Sequence, residues 1–166
     1  SRLRPAAVAS VVAPVMETVR LVRGALDPKV ALIGFAGAPW TVATYMVEGG
    51  SSRDFAATKT WAYGDAESFA RLIGMLVEAT VSYLDRQIEA GADAVQLFDT
   101  WAGTLSPNQF DRWVIEPTRR IVDGIRARHP GTPVIGFPRG AGSIYRRYAE
   151  KTGVNCVGID TAVDPD

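Results

Sequence analysis

"AGADAVQLFDTWAG", Ala90 to Gly103, carries the reading on which the fold turns. Gly91 closes a helical pattern, because glycine accepts the left-handed conformation that ends a helix. "AVQLF", Ala94 to Phe98, is an apolar run of strand length. "DTWAG" then turns polar and glycine-containing. A helix, a buried strand and a polar turn at the strand's carboxyl end are the repeating parts of a parallel β/α sheet.

Working outward, three more runs repeat the unit: "VALIGF" (Val30–Phe35), "VIGF" (Val134–Phe137) and "CVGI" (Cys156–Ile159). Unbroken apolar runs of this length predict strands covered on both faces. Each ends in a polar or glycine-rich turn: "GAPW", "PRGAG" and "DTAVD". Helical patterns lie between them. Phe69, Leu72, Ile73, Leu76, Thr80, Leu84 and Ile88 share one face of a helix from about Asp65 to Glu89. A second helix starts at "SPNQF", with Ser106 as cap and Pro107 in the first helical position. Its buried stripe continues through Phe110, Trp113, Val114, Ile121 and Ile125, and Pro117 should kink or split it. A short third helix covers about Gly142 to Thr152. About sixty residues separate the first two strands, so that crossover must hold extra helical material, including "RDFAATKTWAY".

This order predicts α/β architecture with right-handed parallel units. A doubly wound sheet and a (β/α)8 TIM barrel both fit. Both gather ligands at strand carboxyl ends. The four polar strand ends favour the barrel. Four strands would be about half of its eight, and such a barrel typically takes about 250 residues.

The totals narrow the function classes. The chain has 166 residues and is 47% hydrophobic, enough for one core, and residues 1–166 read as a single domain. Eighteen basic and eighteen acidic residues cancel, which argues against a nucleic-acid partner. Cys156 is the one cysteine, so no internal disulfide can form, and a reducing, cytoplasmic setting fits. "SRLRPAAVASVVAPV" superficially resembles a signal peptide. Pro14 interrupts it, and Val15, Val19, Val22 and Leu26 then recur at helical spacing, as in an amphipathic helix entering the domain. No run reaches the roughly 18 apolar residues of a membrane span.

One His and one Cys cannot build a zinc site or a Cys–His dyad. His129, in "ARHPG", reads as a solvated helix terminus, and Cys156 as a small core residue. "GFAGAPW" and "PRGAGS" miss the dinucleotide and P-loop spacings. Arg119–Arg120 and Arg146–Arg147 read as surface charge, whereas Arg139 follows a strand and could face a ligand. Asp99, Thr100 and Asp160 also stand at strand ends, where Asp and Thr commonly cap turns. Tyr45, in "GAPWTVATYMVEGGSS" (Gly37–Ser52), stands between a strand and a glycine hinge. Its phenol suits donation to a carboxylate or a carbonyl.

In combination these residues are more specific. "LIGFAGAPWTVATYMVEGGSS" (Leu32–Ser52) and "AGADAVQLFDTWAGTLSPNQF" (Ala90–Phe110) resemble the two strongest blocks of the uroporphyrinogen decarboxylase family. "IGFPRGAG" and "GVNCVGID" follow in the same order. The resemblance implies a (β/α)8 barrel, a homodimer, and decarboxylation of the four acetate side chains of uroporphyrinogen to methyls, giving coproporphyrinogen, with no metal or organic cofactor. It also implies that Tyr45 and Thr100 bind substrate, Thr100 standing where most members carry serine. Phe98 then lines the pocket, and Gly37 is the glycine where a side chain would crowd the cleft. Thr161 departs from the family's usual Trp.

The family's arginine-rich amino-terminal loop, its central aspartate and its carboxy-terminal histidine have no counterpart here. The catalytic aspartate therefore lies outside these residues, and the 166 residues alone are expected to be inactive. Two alternatives remain: a corrinoid-dependent methyltransferase of the same superfamily, whose zinc thiolate site this chain lacks, and a non-catalytic porphyrin-binding scaffold.

Overall fold

The computed structural model describes residues 11–50 and 52–163. Most of the arginine-led amino-terminal stretch, Ser51 of the glycine-serine tail, and the last residues of "GIDTAVDP" lie outside the described residues. In chain order the elements are α1 (Ala13–Ala25), β1 (Ile33–Gly37), α2 (Pro39–Glu48), α3 (Ala56–Gly64), α4 (Ala66–Glu89) and β2 (Ala94–Asp99). Then come α5 (Pro107–Phe110), α6 (Glu116–Arg128), β3 (Val134–Pro138), α7 (Tyr145–Thr152) and β4 (Cys156–Val157).

The strands make one parallel sheet in the order β1-β2-β3-β4. Gly37 stands beside Phe98, and Phe98 beside Phe137. Side chains alternate across a strand, and burial alternates with them. Ala36, Val95, Leu97, Val134 and Pro138 are buried under helices, whereas Phe35 is 59% exposed on the other face. A doubly wound sheet reverses its strand order and is covered on both faces. This sheet follows chain order without reversal and is covered on one face. It is an arc of a (β/α)8 barrel, about four of the eight strands.

The expectation that all four strands are covered on both faces is therefore corrected. Their apolar inward side chains suit a barrel interior, and nothing among the described residues lies over that face. Two boundaries move as well. β1 begins at Ile33, with Val30 in the preceding turn, and β4 is two residues long. Cys156 is exposed rather than core, because β4 pairs only with β3 among the described residues. Leu26 falls just past α1, and Val15 and Val22 are exposed, so Met16 is that helix's buried residue.

The covered face holds an aromatic centre. Phe69 on α4 meets Trp40, Trp61 and Trp113 with ring centroids 6.0, 5.4 and 4.9 Å away, all edge to face. The predicted stripe of α4 is buried at Phe69, Leu72, Ile73, Thr80 and Leu84. Asp65 caps that helix through the Ser68 N–H. Gln87, on the same stripe, has a second task. Its amide donates to the Phe35 carbonyl and accepts from the Phe35 N–H, both at 2.9 Å, pairing the β1 edge that faces away from β2.

The split expected at Pro117 takes the form of a π-helical turn, Asp111–Ile115. The Glu116 N–H reaches back five residues to the Asp111 carbonyl, and the helical path runs on into α6. The wider turn makes room for the proline ring. Ser106 stands at the cap position of α5 with Pro107 in its first turn.

Candidate functional site

The carboxyl ends of the strands are tied into one rim by hydrogen bonds. The Ala38 N–H donates to the Phe98 carbonyl at 2.9 Å, and Trp40 Nε1 to the Trp101 carbonyl at 3.1 Å, joining the turn after β1 to β2. The Arg139 N–H reaches the Asp99 carbonyl, and the Gly103 N–H the Arg139 carbonyl, joining β2 to β3. The Gly140 N–H and the Tyr145 hydroxyl both donate to Asp160 Oδ2, at 2.6 and 2.9 Å, bringing in the turn after β4.

Beneath this rim lies Asp99, 2% exposed. It points to the helix-covered face, where the Thr41 hydroxyl donates to its Oδ1 at 2.6 Å. Burial pushes the carboxyl up to about 7, opposed by hydrogen bonds from the Thr41 side chain and backbone. Its Oδ2 has no partner among the described residues. Thr41 is the third residue of α2, and the helix's own cap position holds Ala38, which has no side-chain acceptor. Asp99 therefore holds the first turn of α2 from a neighbouring strand, through the Thr41 hydroxyl. Asp160 behaves differently. It is half-buried, and the N–H groups of Gly140 and Ala162 and the Tyr145 hydroxyl hold its pKa below the usual carboxylate value. The reading of Asp160 as a turn-capping residue stands.

Tyr45 lies within α2, not between a strand and a hinge. It is 43% exposed, and its ring edges onto Trp101 at 6.4 Å. The supposed hinge begins with a fixed cap. Gly49 is left-handed (φ 73°), and its N–H bonds the Tyr45 carbonyl. Thr100 is half-buried just past β2, next to Trp101. Neither the Tyr45 nor the Thr100 hydroxyl has a protein partner among the described residues. Phe98 is 36% exposed on the open face. Gly37 ends β1 beside it, and a Cβ there would meet Val42 Cγ2 of α2 at 3.0 Å. The constraint on Gly37 comes from this helix rather than from the open face.

Of the other candidates, Arg139 is exposed on the rim, where its charge helps to lower the Asp160 pKa. His129 is not simply solvated. Its Nε2 lies 2.7 Å from Asp85 Oδ1, joining the end of α6 to α4. Arg119 pairs with Glu116 and Asp123, Arg146 with Glu150, and Arg147 with Asp111, as surface charge does. Among the described residues no cluster of three or more His, Cys, Asp or Glu could share a metal ion. No helix among them is long and apolar enough to cross a membrane.

Sequence reasoning missed three contributors. Phe35 and Phe137 flank Phe98 on the open face, with centroids 5.8 and 5.9 Å away and rings nearly perpendicular. All three stand near strand carboxyl ends, a recurrence readable from the sequence. Trp101, which meets both Tyr45 and the buried ring of Phe55 (4.9 Å), gave no such signal.

Comparison with known proteins adds the following. The family described as Uroporphyrinogen decarboxylase (URO-D) matches residues 1–166. A protein of Rhizorhabdus wittichii named uroporphyrinogen decarboxylase is 57% identical over 152 residues, covering 92% of this chain and 44% of the relative. One of Granulibacter bethesdensis with the same name is 55% identical, covering 93% and 46%. One of Rhodospirillum rubrum is 53% identical, covering 97% and 46%. The chain spans about half the length of the curated relatives it matches.

Proposed function

The chain belongs to the uroporphyrinogen decarboxylase family, and from that premise we propose that it forms one wall of the active site of an enzyme converting the four acetate side chains of uroporphyrinogen III to methyls, giving coproporphyrinogen III. The observation carrying this reading is the pairing of an open aromatic face with unengaged hydroxyls at its rim. Phe35, Phe98 and Phe137 offer the apolar pyrrole rings of the macrocycle a surface of matching character. Tyr45 and Thr100, free of protein partners among the described residues, can donate to its carboxylates.

The chemistry needs a proton placed on a pyrrole carbon. The ring then draws in the electron pair of the carbon–carboxylate bond and carbon dioxide leaves; the exocyclic methylene so formed takes up a proton to become the methyl, and the ring carbon gives its added proton back. Nothing in that step calls for a cofactor. It does call for cations around a polyanionic substrate and an acceptor for the pyrrole N–H groups, and the rest of the protein supplies these. A homodimer in the cytoplasm is part of the proposal, as is the inactivity of these 166 residues alone. The test is a decarboxylation assay, following uroporphyrinogen to coproporphyrinogen by chromatography. The full-length protein should turn over, the isolated 166 residues should not, and Tyr45→Phe in the full-length protein should lower kcat/KM about tenfold. A full-length protein that yields no coproporphyrinogen refutes the reading.

A further inference from the structure

We infer that Asp99 and Thr41 form a positioning pair that fixes the helix carrying Tyr45 on the strand end carrying Phe98 and Thr100. The inference rests on the substrate-binding role proposed above for those residues. Asp99 follows Phe98 in β2, so its side chain points to the opposite face of the sheet. A ligand lying on the open face touches Phe98 and cannot touch Asp99. Its influence must pass through what it bonds.

What it bonds is placed for this. The Thr41 hydroxyl donates to Asp99 at 2.6 Å and accepts from the Trp101 N–H at 3.2 Å. One oxygen thus joins the first turn of α2, the end of β2 and the turn holding Thr100 and Trp101. Tyr45 lies four residues after Thr41, one turn on along the same helix. Ala38 offers α2 no side-chain cap, and the side-chain bond that ties the first turn of the helix to the sheet runs to a carboxyl carried by another element. The raised pKa of Asp99 agrees with a role resting on hydrogen-bond geometry more than on charge. Asparagine has the same shape and keeps an acceptor for Thr41; alanine does not.

The test is a double-mutant cycle in the full-length protein, read as kcat/KM for decarboxylation with folding checked by circular dichroism. Asp99→Ala and Thr41→Val should each cost about tenfold, and the double variant no more than the worse single one, because both break one link. Asp99→Asn and Thr41→Ser should stay within about threefold of the parent. Single losses that multiply, or an Asp99→Ala variant within about twofold of the parent, overturn the inference. Amide exchange at Val42, whose N–H bonds the Ala38 carbonyl at 3.0 Å, provides a reading without activity. Asp99→Ala should speed it about tenfold and Asp99→Asn should not. If the parent fails to decarboxylate, the proposed function falls, and these exchange rates decide the pair by themselves. If Asp99→Ala does not fold, the contrast between Thr41→Val and Thr41→Ser decides it.

Discussion

The rim can be tested at the point where two turns touch backbone to backbone. A Cβ placed on Gly103 would lie 2.5 Å from the Gly140 carbonyl oxygen, 2.7 Å from its carbon and 2.8 Å from its Cα. Ordinary carbon contacts begin near ~3.5 Å, so the overlap is about 1 Å with three atoms at once. No side chain can rotate away. Gly140 is itself held, in a left-handed conformation (φ 75°), by its N–H bond to Asp160. Gly103→Ala must therefore push the turns after β2 and β3 apart and weaken the Gly103 N–H bond to the Arg139 carbonyl, 3.0 Å long. Overpacking costs about 1–3 kcal/mol and the hydrogen bond about 1 kcal/mol. The stiffer unfolded chain returns about 0.5 kcal/mol. The net loss should be about 1.5–3.5 kcal/mol, read from urea unfolding of the full-length protein followed by tryptophan fluorescence. Gly74→Ala is the control. Nothing lies within 4 Å of its Cβ position in the middle of α4, so that change should stabilise by about 0.5–1 kcal/mol. A Gly103→Ala variant within about 0.5 kcal/mol of the parent would refute the contact between the two turns.

Two further predictions concern packing away from the rim. Glu48→Ala should cost about 1–3 kcal/mol in the same unfolding assay and Glu48→Gln clearly less, because Glu48 Oε1 accepts from both the N–H and the hydroxyl of buried Thr58, at 2.9 and 2.8 Å. Asp85 sets an acid limit. Desolvation alone would raise its pKa, but hydrogen bonds and charge from His129 and Arg128 outweigh it and hold the folded value below the usual one. Such a group contributes stability that is fully present above its unfolded pKa and lost as pH falls through the folded value. Unfolding midpoints should fall more steeply below about pH 4 in the parent than in Asp85→Asn, and parallel acid limbs would contradict this.

The fold was largely legible because its signals are local. The burial stripe of α4 and the stripe from Phe110 to Ile125 each depend on neighbours within a turn or two. The strands were found but misjudged. A run such as "VALIGF" reports apolar surroundings for alternate side chains without saying which chain segment supplies them. Phe35 is apolar, and yet it lies largely exposed on the open face, with its ring perpendicular to that of Phe98. Cys156 was misread for the same reason: its burial depends on a neighbouring strand, and among the described residues β4 has one only on the β3 side. At the site, Tyr45, Thr100, Phe98 and Gly37 were legible through their two sequence blocks, whereas the rings beside Phe98 depend on register between strands far apart in the chain. Phe55 is the extreme case. It is buried against Trp101 in a left-handed conformation that a phenylalanine rarely adopts, and nothing in "SRDFAAT" signals this.

The least legible device is also the one that places the site. α2 and α3 begin at Ala38 and Phe55, neither a capping residue, so a search for Ser, Thr, Asp or Asn at helix starts finds no cap at either. Both helices carry a buried threonine at their third position, Thr41 and Thr58, and in each an acid from elsewhere accepts its hydroxyl: Asp99 from β2 for the first, Glu48 from the end of α2 for the second. A cap within the helix would make its first turn independent of the rest of the molecule. An acceptor supplied from outside ties the helix start to tertiary structure: Glu48 takes both the N–H and the hydroxyl of Thr58, and Asp99 takes the hydroxyl of Thr41, so that β2 holds the first turn of α2 in place. Tyr45, one turn further along α2, is thereby held against Trp101 in the turn that follows β2. The same carboxyl that looks misplaced, buried beneath an exposed aromatic wall with one oxygen unpartnered among the described residues, is what couples the wall to its rim.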